Sequence, residues 1–146
     1  MNSIEIIKDI SALEGTCYIE LSLGKYQGKH WEDTSLFFDE EVFGYIEMIF
    51  ERHIPNYDHY SMNDADSKSW SNIIIELKTF SELLISSNEF DDILSKVKFA
   101  FGDTRNYFQN NIQPNQLTQL HKMINELINW AEVKIKKHEY ISVLGL

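Results

Sequence analysis

The sequence predicts an α+β fold: a small N-terminal antiparallel sheet followed by four to five packed helices, with helix in the majority. Three observations carry this expectation. Cys17, Ile19, Leu21 and Leu23 alternate with Tyr18, Glu20 and Ser22, the period of a half-buried strand. From Asn115 to Lys137, Leu117, Leu120, Ile124, Leu127, Ile128 and Ala131 recur at three- and four-residue steps, the period of a helix. Between these segments Asp39, Pro55, Asn88 and Pro114 stand where helices start or stop.

Taken in order, Ile4–Lys8 is short and isoleucine-rich and is read as an edge strand. Ile6, Ile7, Ile10 and Leu13 also fit helical spacing, with Gly15 as a stop. Cys17–Leu23 is a strand that places Cys17 inward as a small core residue. Gly24 to Gly28 is a turn, and His30–Phe38 returns as a further strand. Asp39 caps a helix running to about His53, with Val42, Ile46, Ile49 and Phe50 on its apolar face. Glu40, Glu47 and Glu51 then share one line on the opposite side. Pro55 ends that helix. Asn56–Ser69 reads as a long polar loop, a type of segment that often carries function. Trp70–Ser86 is a helix with Ile73, Leu77, Phe80 and Leu84 in its stripe. Asn88 caps a shorter helix through Phe99, and after Gly102 another helical piece begins at Asp103 or Thr104.

The chain of 146 residues, 43% of them hydrophobic, is long and apolar enough for one domain with its own core. One cysteine excludes an internal disulfide framework and any multi-cysteine metal centre. No stretch approaches the apolar length of a membrane span, and Met1–Glu5 lacks the basic start of a secretion signal. A cytoplasmic protein with no membrane association is expected.

The net charge of −10 disfavours direct contact with nucleic acid and favours a basic protein partner. The charge is concentrated. Between His30 and Asp66 ten carboxylates (Glu32, Asp33, Asp39, Glu40, Glu41, Glu47, Glu51, Asp58, Asp64 and Asp66) face the single base Arg52. Asp39, Glu40 and Glu41 suit a helix start. Local helix logic does not account for Glu47, Glu51, Asp58, Asp64 and Asp66. The candidate partner-binding set is therefore Glu32, Asp33, Glu40, Glu47, Glu51, Tyr57, Asp58, Tyr60, Asp64, Asp66 and Trp70. The acids supply complementarity to a basic surface, and the aromatic residues supply anchors.

No motif names a chemistry, so no catalytic residue, metal ligand or cofactor is assigned. His53 and His59 lack the spacing of a zinc site. Asp64-Ala65-Asp66 opens like a calcium loop but continues into Lys68 without the required glycine. Nucleophile-elbow and phosphate-loop sequences are absent. Two alternatives to a partner-binding role stay open. One is a small hydrolase or transferase built on His53, Asp58, His59, Asp64 and Asp66. The other is a structural or regulatory homodimer using an exposed part of the final helix. The partner-binding reading itself implies a monomer or a weak homodimer.

Thr16–Leu23 as an N-terminal strand, the acidic runs Trp31-Glu32-Asp33 and Asp39-Glu40-Glu41, and the lack of a catalytic motif give the chain a family likeness. It resembles the bacterial immunity proteins of contact-dependent growth inhibition and related polymorphic toxin systems. The resemblance extends loosely over the whole chain and assigns no individual binding residue. It implies a cognate toxin domain, often a nuclease, held inactive by direct binding in the cytoplasm.

Overall fold

A computed structural model describes residues 3–86 and 108–146. The helices expected at Asn88–Phe99 and after Gly102 lie outside the described residues. The architecture is α+β. Four strands, β1 (Tyr18–Leu23), β2 (Leu36–Asp39), β3 (Met62–Asp66) and β4 (Tyr140–Leu144), form one antiparallel sheet in the order β2-β1-β4-β3. Among the described residues the helical elements include α1 (Glu40–Phe43), α2 (Glu47–His53), α3 (Ser67–Ser86) and α4 (Leu117–Lys134), and residues 108–111 are helical too.

The alternation in β1 works as expected on one face. Ile19 and Leu21 are fully buried. They sit level with Phe38 and Leu36 of β2, and Leu21 also faces Val143 of β4. These residues, with Ile141 and Ala65, join Ile73 and Leu77 of α3 and Ile124 and Leu127 of α4 in one apolar core. The stripe of α4, Leu120, Ile124, Leu127, Ile128 and Ala131, is thus buried in the core of the molecule.

The strand expected over His30–Phe38 is confined to Leu36–Asp39, because Glu20 holds Trp31, Glu32 and Ser35 in a loop instead. Five further expectations need correction. Cys17 precedes β1 and is exposed, so it is not a core residue. Ile4–Lys8 contributes a single bridge, with Ile7 and Phe37 exchanging both backbone hydrogen bonds at 2.8 Å, rather than a strand. Asn56–Ser69 is not all loop. Met62–Asp66 is β3, whose polar sequence becomes a strand because it pairs along its whole length with β4. Trp70 does not open a helix at a loop edge. It lies one turn inside α3, because the Asp66 carboxylate caps the helix earlier by accepting from the Ser69 N–H at 2.8 Å.

The fifth correction concerns the acidic helix, which is split. Asp39 caps α1 as expected, accepting from the Glu41 N–H at 3.0 Å. After Gly44 the chain tightens, with Tyr45 N–H donating to Val42 O and Ile46 N–H to Phe43 O. Val42, Phe43, Tyr45 and Ile46 are all buried, on the side of this turn that faces the core. Aromatic contacts then run Phe38–Phe43–Phe50–Trp70, tying β2, α1, α2 and α3 together at ring separations of 4.9–5.4 Å. No helix among the described residues is long and apolar enough to cross a membrane.

Candidate functional site

The site forms where the chain leaves α2. Pro55 removes a helical donor, and Asn56 follows in the left-handed region at φ 58°, which asparagine tolerates better than most residues. The turn over residues 57–61 is then fastened from three sides. The Asp58 carboxylate accepts from the Tyr60 N–H at 2.9 Å, a local Asx turn. Buried Asn63 accepts from the Asp58 N–H, and its amide donates to the carbonyls of Asp58, Ser61 and Val143. The segment after β4 closes the third side, with Gly145 N–H donating to Ser61 O at 2.8 Å and Leu146 N–H to His59 O at 3.1 Å. Gly145 lies so close that a Cβ there would fall 2.0 Å from His59 O, so only glycine fits without displacing the turn.

This turn presents His59 to two carboxylates on different helices. Nε2 meets Glu40 of α1 at 2.7 Å, and Nδ1 meets Glu47 of α2 at 2.5 Å. An ionised carboxylate only accepts, so both ring nitrogens must donate and the imidazole is held as its cation. Partial burial works against that charge, but the bonds to Glu40 and Glu47 and their charges outweigh it and raise the His59 pKa. The Tyr57 hydroxyl donates to the same Glu47 at 2.8 Å. Burial first, then the negative charges of Glu47, Glu51 and Asp58, push the Tyr57 phenol far up, so it remains a donor.

Around these groups lies an open concavity of about 480 Å³, lined by Glu47, Glu51, Tyr57, Asp58, His59 and Tyr60. Tyr60 stands at its rim, 71% exposed, with its ring edge against the His59 imidazole at 4.7 Å. An acidic concavity with a projecting tyrosine is suited to receiving cationic side chains of a protein surface.

The expected partner-binding residues divide accordingly. Glu40, Glu47, Glu51, Tyr57, Asp58 and Tyr60 gather at this site. Glu32 and Asp33 belong to a different loop, preceding β2. Asp64 has a structural task, since its Oδ1 accepts from the Tyr26 N–H at 2.9 Å and from the Ser142 hydroxyl at 2.8 Å. Asp66 is the cap of α3, so local helix logic does explain it. Trp70 is withdrawn from the set. It is fully buried, and its indole N–H donates to Ile141 O at 3.0 Å, so no partner reaches it.

The alternative hydrolase set does not converge either. His53 pairs with Glu76 of α3 at 2.8 Å, while His59, Asp64 and Asp66 serve the separate contacts above. Among the described residues no group of three His, Cys, Asp or Glu side chains is arranged to hold a metal ion.

Sequence reasoning missed Glu20. It is the one charged residue among the described residues that is buried. Its carboxylate accepts from the N–H groups of Trp31 and Glu32 at 2.7 and 3.1 Å and from the Ser35 hydroxyl at 2.6 Å. A glutamate in the middle of an alternating strand was the only signal, and it is the ordinary sign of a solvated face.

No protein-family model matches this sequence, and no curated protein or solved structure matches it significantly.

Proposed function

We propose that the protein is an immunity-type inhibitor that binds and neutralises a cognate toxin domain of basic charge, nuclease in type, in the cytoplasm. One observation carries this reading: Glu40, Glu47, Glu51 and Asp58 converge on a rigidly fastened turn that presents the exposed Tyr60. The turn is pre-organised, so little ordering entropy is lost on binding. Tyrosine is a favoured interface anchor, and a surrounding field of one sign speeds capture of an oppositely charged partner. A typical interface needs only about 800 Å² per partner, within reach of α2 and the 57–61 turn together. The overall charge of −10 repels nucleic acid while attracting a protein that binds it.

The test is co-expression with the C-terminal domain of whatever protein the adjacent upstream gene encodes, read as complex formation and rescue of growth. A complex with rescue is expected, and neither with a folded chain would remove the reading. Within the complex, Glu51→Lys combined with Tyr60→Ala should weaken binding and flatten its salt dependence without unfolding the chain. Glu51 and Tyr60 are the informative positions because Glu47 also holds His59 and Tyr57, so its reversal would disturb the turn itself.

A further inference from the structure

The sheet face turned away from α3 and α4 carries a second concavity of about 330 Å³. One row of the sheet makes its floor: Glu20 of β1 faces Leu144 of β4, which faces Met62 of β3. Tyr18, His30, Trp31 and Leu146 stand around it. Two features set this groove apart. Trp31 is held at φ 63°, a left-handed conformation that is unusual for a bulky residue, and its side chain is left 38% exposed. Glu20 beneath it is buried, yet every hydrogen bond it accepts comes from a neutral donor. The His30 imidazole comes no nearer than 3.9 Å, Nδ1 to Oε1, beyond hydrogen-bond range. Other half-buried carboxylates have closer basic partners: Glu76 has Arg52 at 3.4 Å, and Glu47 has His59. A buried carboxylate whose hydrogen bonds all come from neutral donors is costly, and an entering cation bonded to it directly would relieve it.

We infer that this groove binds an arginine side chain of the partner, with the guanidinium against Trp31 and over Glu20. Glu20 Oε1 accepts one bond from Trp31 and keeps a second acceptor site. The planar, weakly hydrated guanidinium stacks on an aromatic face and donates to a carboxylate at once, which an ammonium does less well. Its aliphatic stem suits the apolar floor of Met62 and Leu144. The groove also adjoins the acidic concavity. Residues 145 and 146 line it on one side and, through their N–H groups, hold Ser61 and His59 on the other. A single basic surface can therefore meet both.

This assignment rests on the reading of a basic protein partner, but its test needs no partner. The probes are N-acetylarginine amide and its neutral isostere N-acetylcitrulline amide, added to the full chain and followed by ¹H–¹⁵N NMR. The arginine amide should produce saturable shifts at the Trp31 indole, the Trp31 and Glu32 amides, and Met62 and Leu144. The citrulline amide should bind at least about tenfold more weakly, because it keeps the shape and loses the charge-assisted bond. Met62→Lys, which places a cation in the groove, should abolish the arginine shifts with the spectrum still dispersed. Trp31→Gly, which keeps the backbone conformation and removes the ring, should do the same. Equal binding of the two probes, shifts confined to Glu47–Tyr60, or arginine shifts that persist in both variants would overturn the inference. Arginine-dependent shifts in a chain that rescues no toxin would keep the groove and remove the immunity reading. Rescue without those shifts would do the reverse.

Discussion

The two faces of the sheet are held by different physics. On the inner face the rows Leu36–Leu21–Val143–Asn63 and Leu23–Ile141–Ala65 are apolar but for Asn63 and packed under α3 and α4. On the outer face the rows Phe37–Glu20–Leu144–Met62 and Ser22–Ser142–Asp64 include two carboxylates that grip loops. Glu20 holds residues 31–35, and Asp64 holds Tyr26. The difference teaches a division of labour. Apolar burial on the inner face decides whether the chain folds, and hydrogen bonding by polar sheet residues, Glu20 and Asp64 on the outer face and the lone Asn63 on the inner, decides where its loops stand. Both concavities are bounded by loops or segments positioned in the second way.

The largest effect should come from the inner face. Trp70→Ala removes the buried ring between Phe50 and β4 and leaves Ile141 O without its donor. It should cost about 3–5 kcal/mol, read as a lowered urea midpoint. A loss below about 1 kcal/mol would break the comparison, because large-to-small changes in a true core cost more than that.

Next is Glu20→Gln on the outer face. A carboxamide has one acceptor oxygen, so it cannot receive the Trp31, Glu32 and Ser35 donors together. The expected cost is about 1–3 kcal/mol. Amide exchange should quicken at Trp31 and Glu32, while α3 and α4 keep their protection. Quickening spread evenly over both helices would show that the two faces are not separable.

A smaller effect is expected for Asp66→Ala, about 0.5–2 kcal/mol for a lost helix cap. The Ser69 backbone bond holds the Asp66 carboxyl below its ordinary 3.8. Its folded pKa is depressed, so its stabilisation is present above pH 3.8 and fades as the pH falls through the folded value. The alanine variant should lose that part of the acid dependence, measured as a pH series of thermal midpoints.

The smallest effect belongs to His59. Its pKa is raised above 6.5 on folding, so its contribution is complete below pH 6.5 and is lost as the pH rises through the folded value. His59→Gln should flatten the thermal midpoint over that alkaline side alone. A decline that persists in the variant would assign it to another group.

The sequence made visible what depends on local periodicity. β1, the stripe of α4, and the Asp39 and Pro55 boundaries follow from side-chain spacing and backbone chemistry within a few residues. β3 was hidden because Met62-Asn63-Asp64-Ala65-Asp66 has almost no apolar pattern, and its strand conformation is supplied by pairing with β4. At the candidate site the carboxylates were legible as charge. Which of them meet His59, cap a helix or grip a loop was not, because those partners are set by the fold. Glu40 and Glu47 do come together, but through an imidazole from the following turn rather than along one helix.

The position of β4 has a consequence for how the molecule is made. It lies between β1 and β3, although both are synthesised long before it. Until Tyr140–Leu144 emerges, β1 and β3 have unsatisfied backbone groups along the gap it will fill. That nascent state offers a slot for any strand of matching polarity, so a β4-like segment of another chain is the natural culprit for misassembly. Closing the gap requires contacts between residues far apart in sequence, which slows the final step. Conditions that shorten the wait for β4 should therefore raise the yield of folded protein.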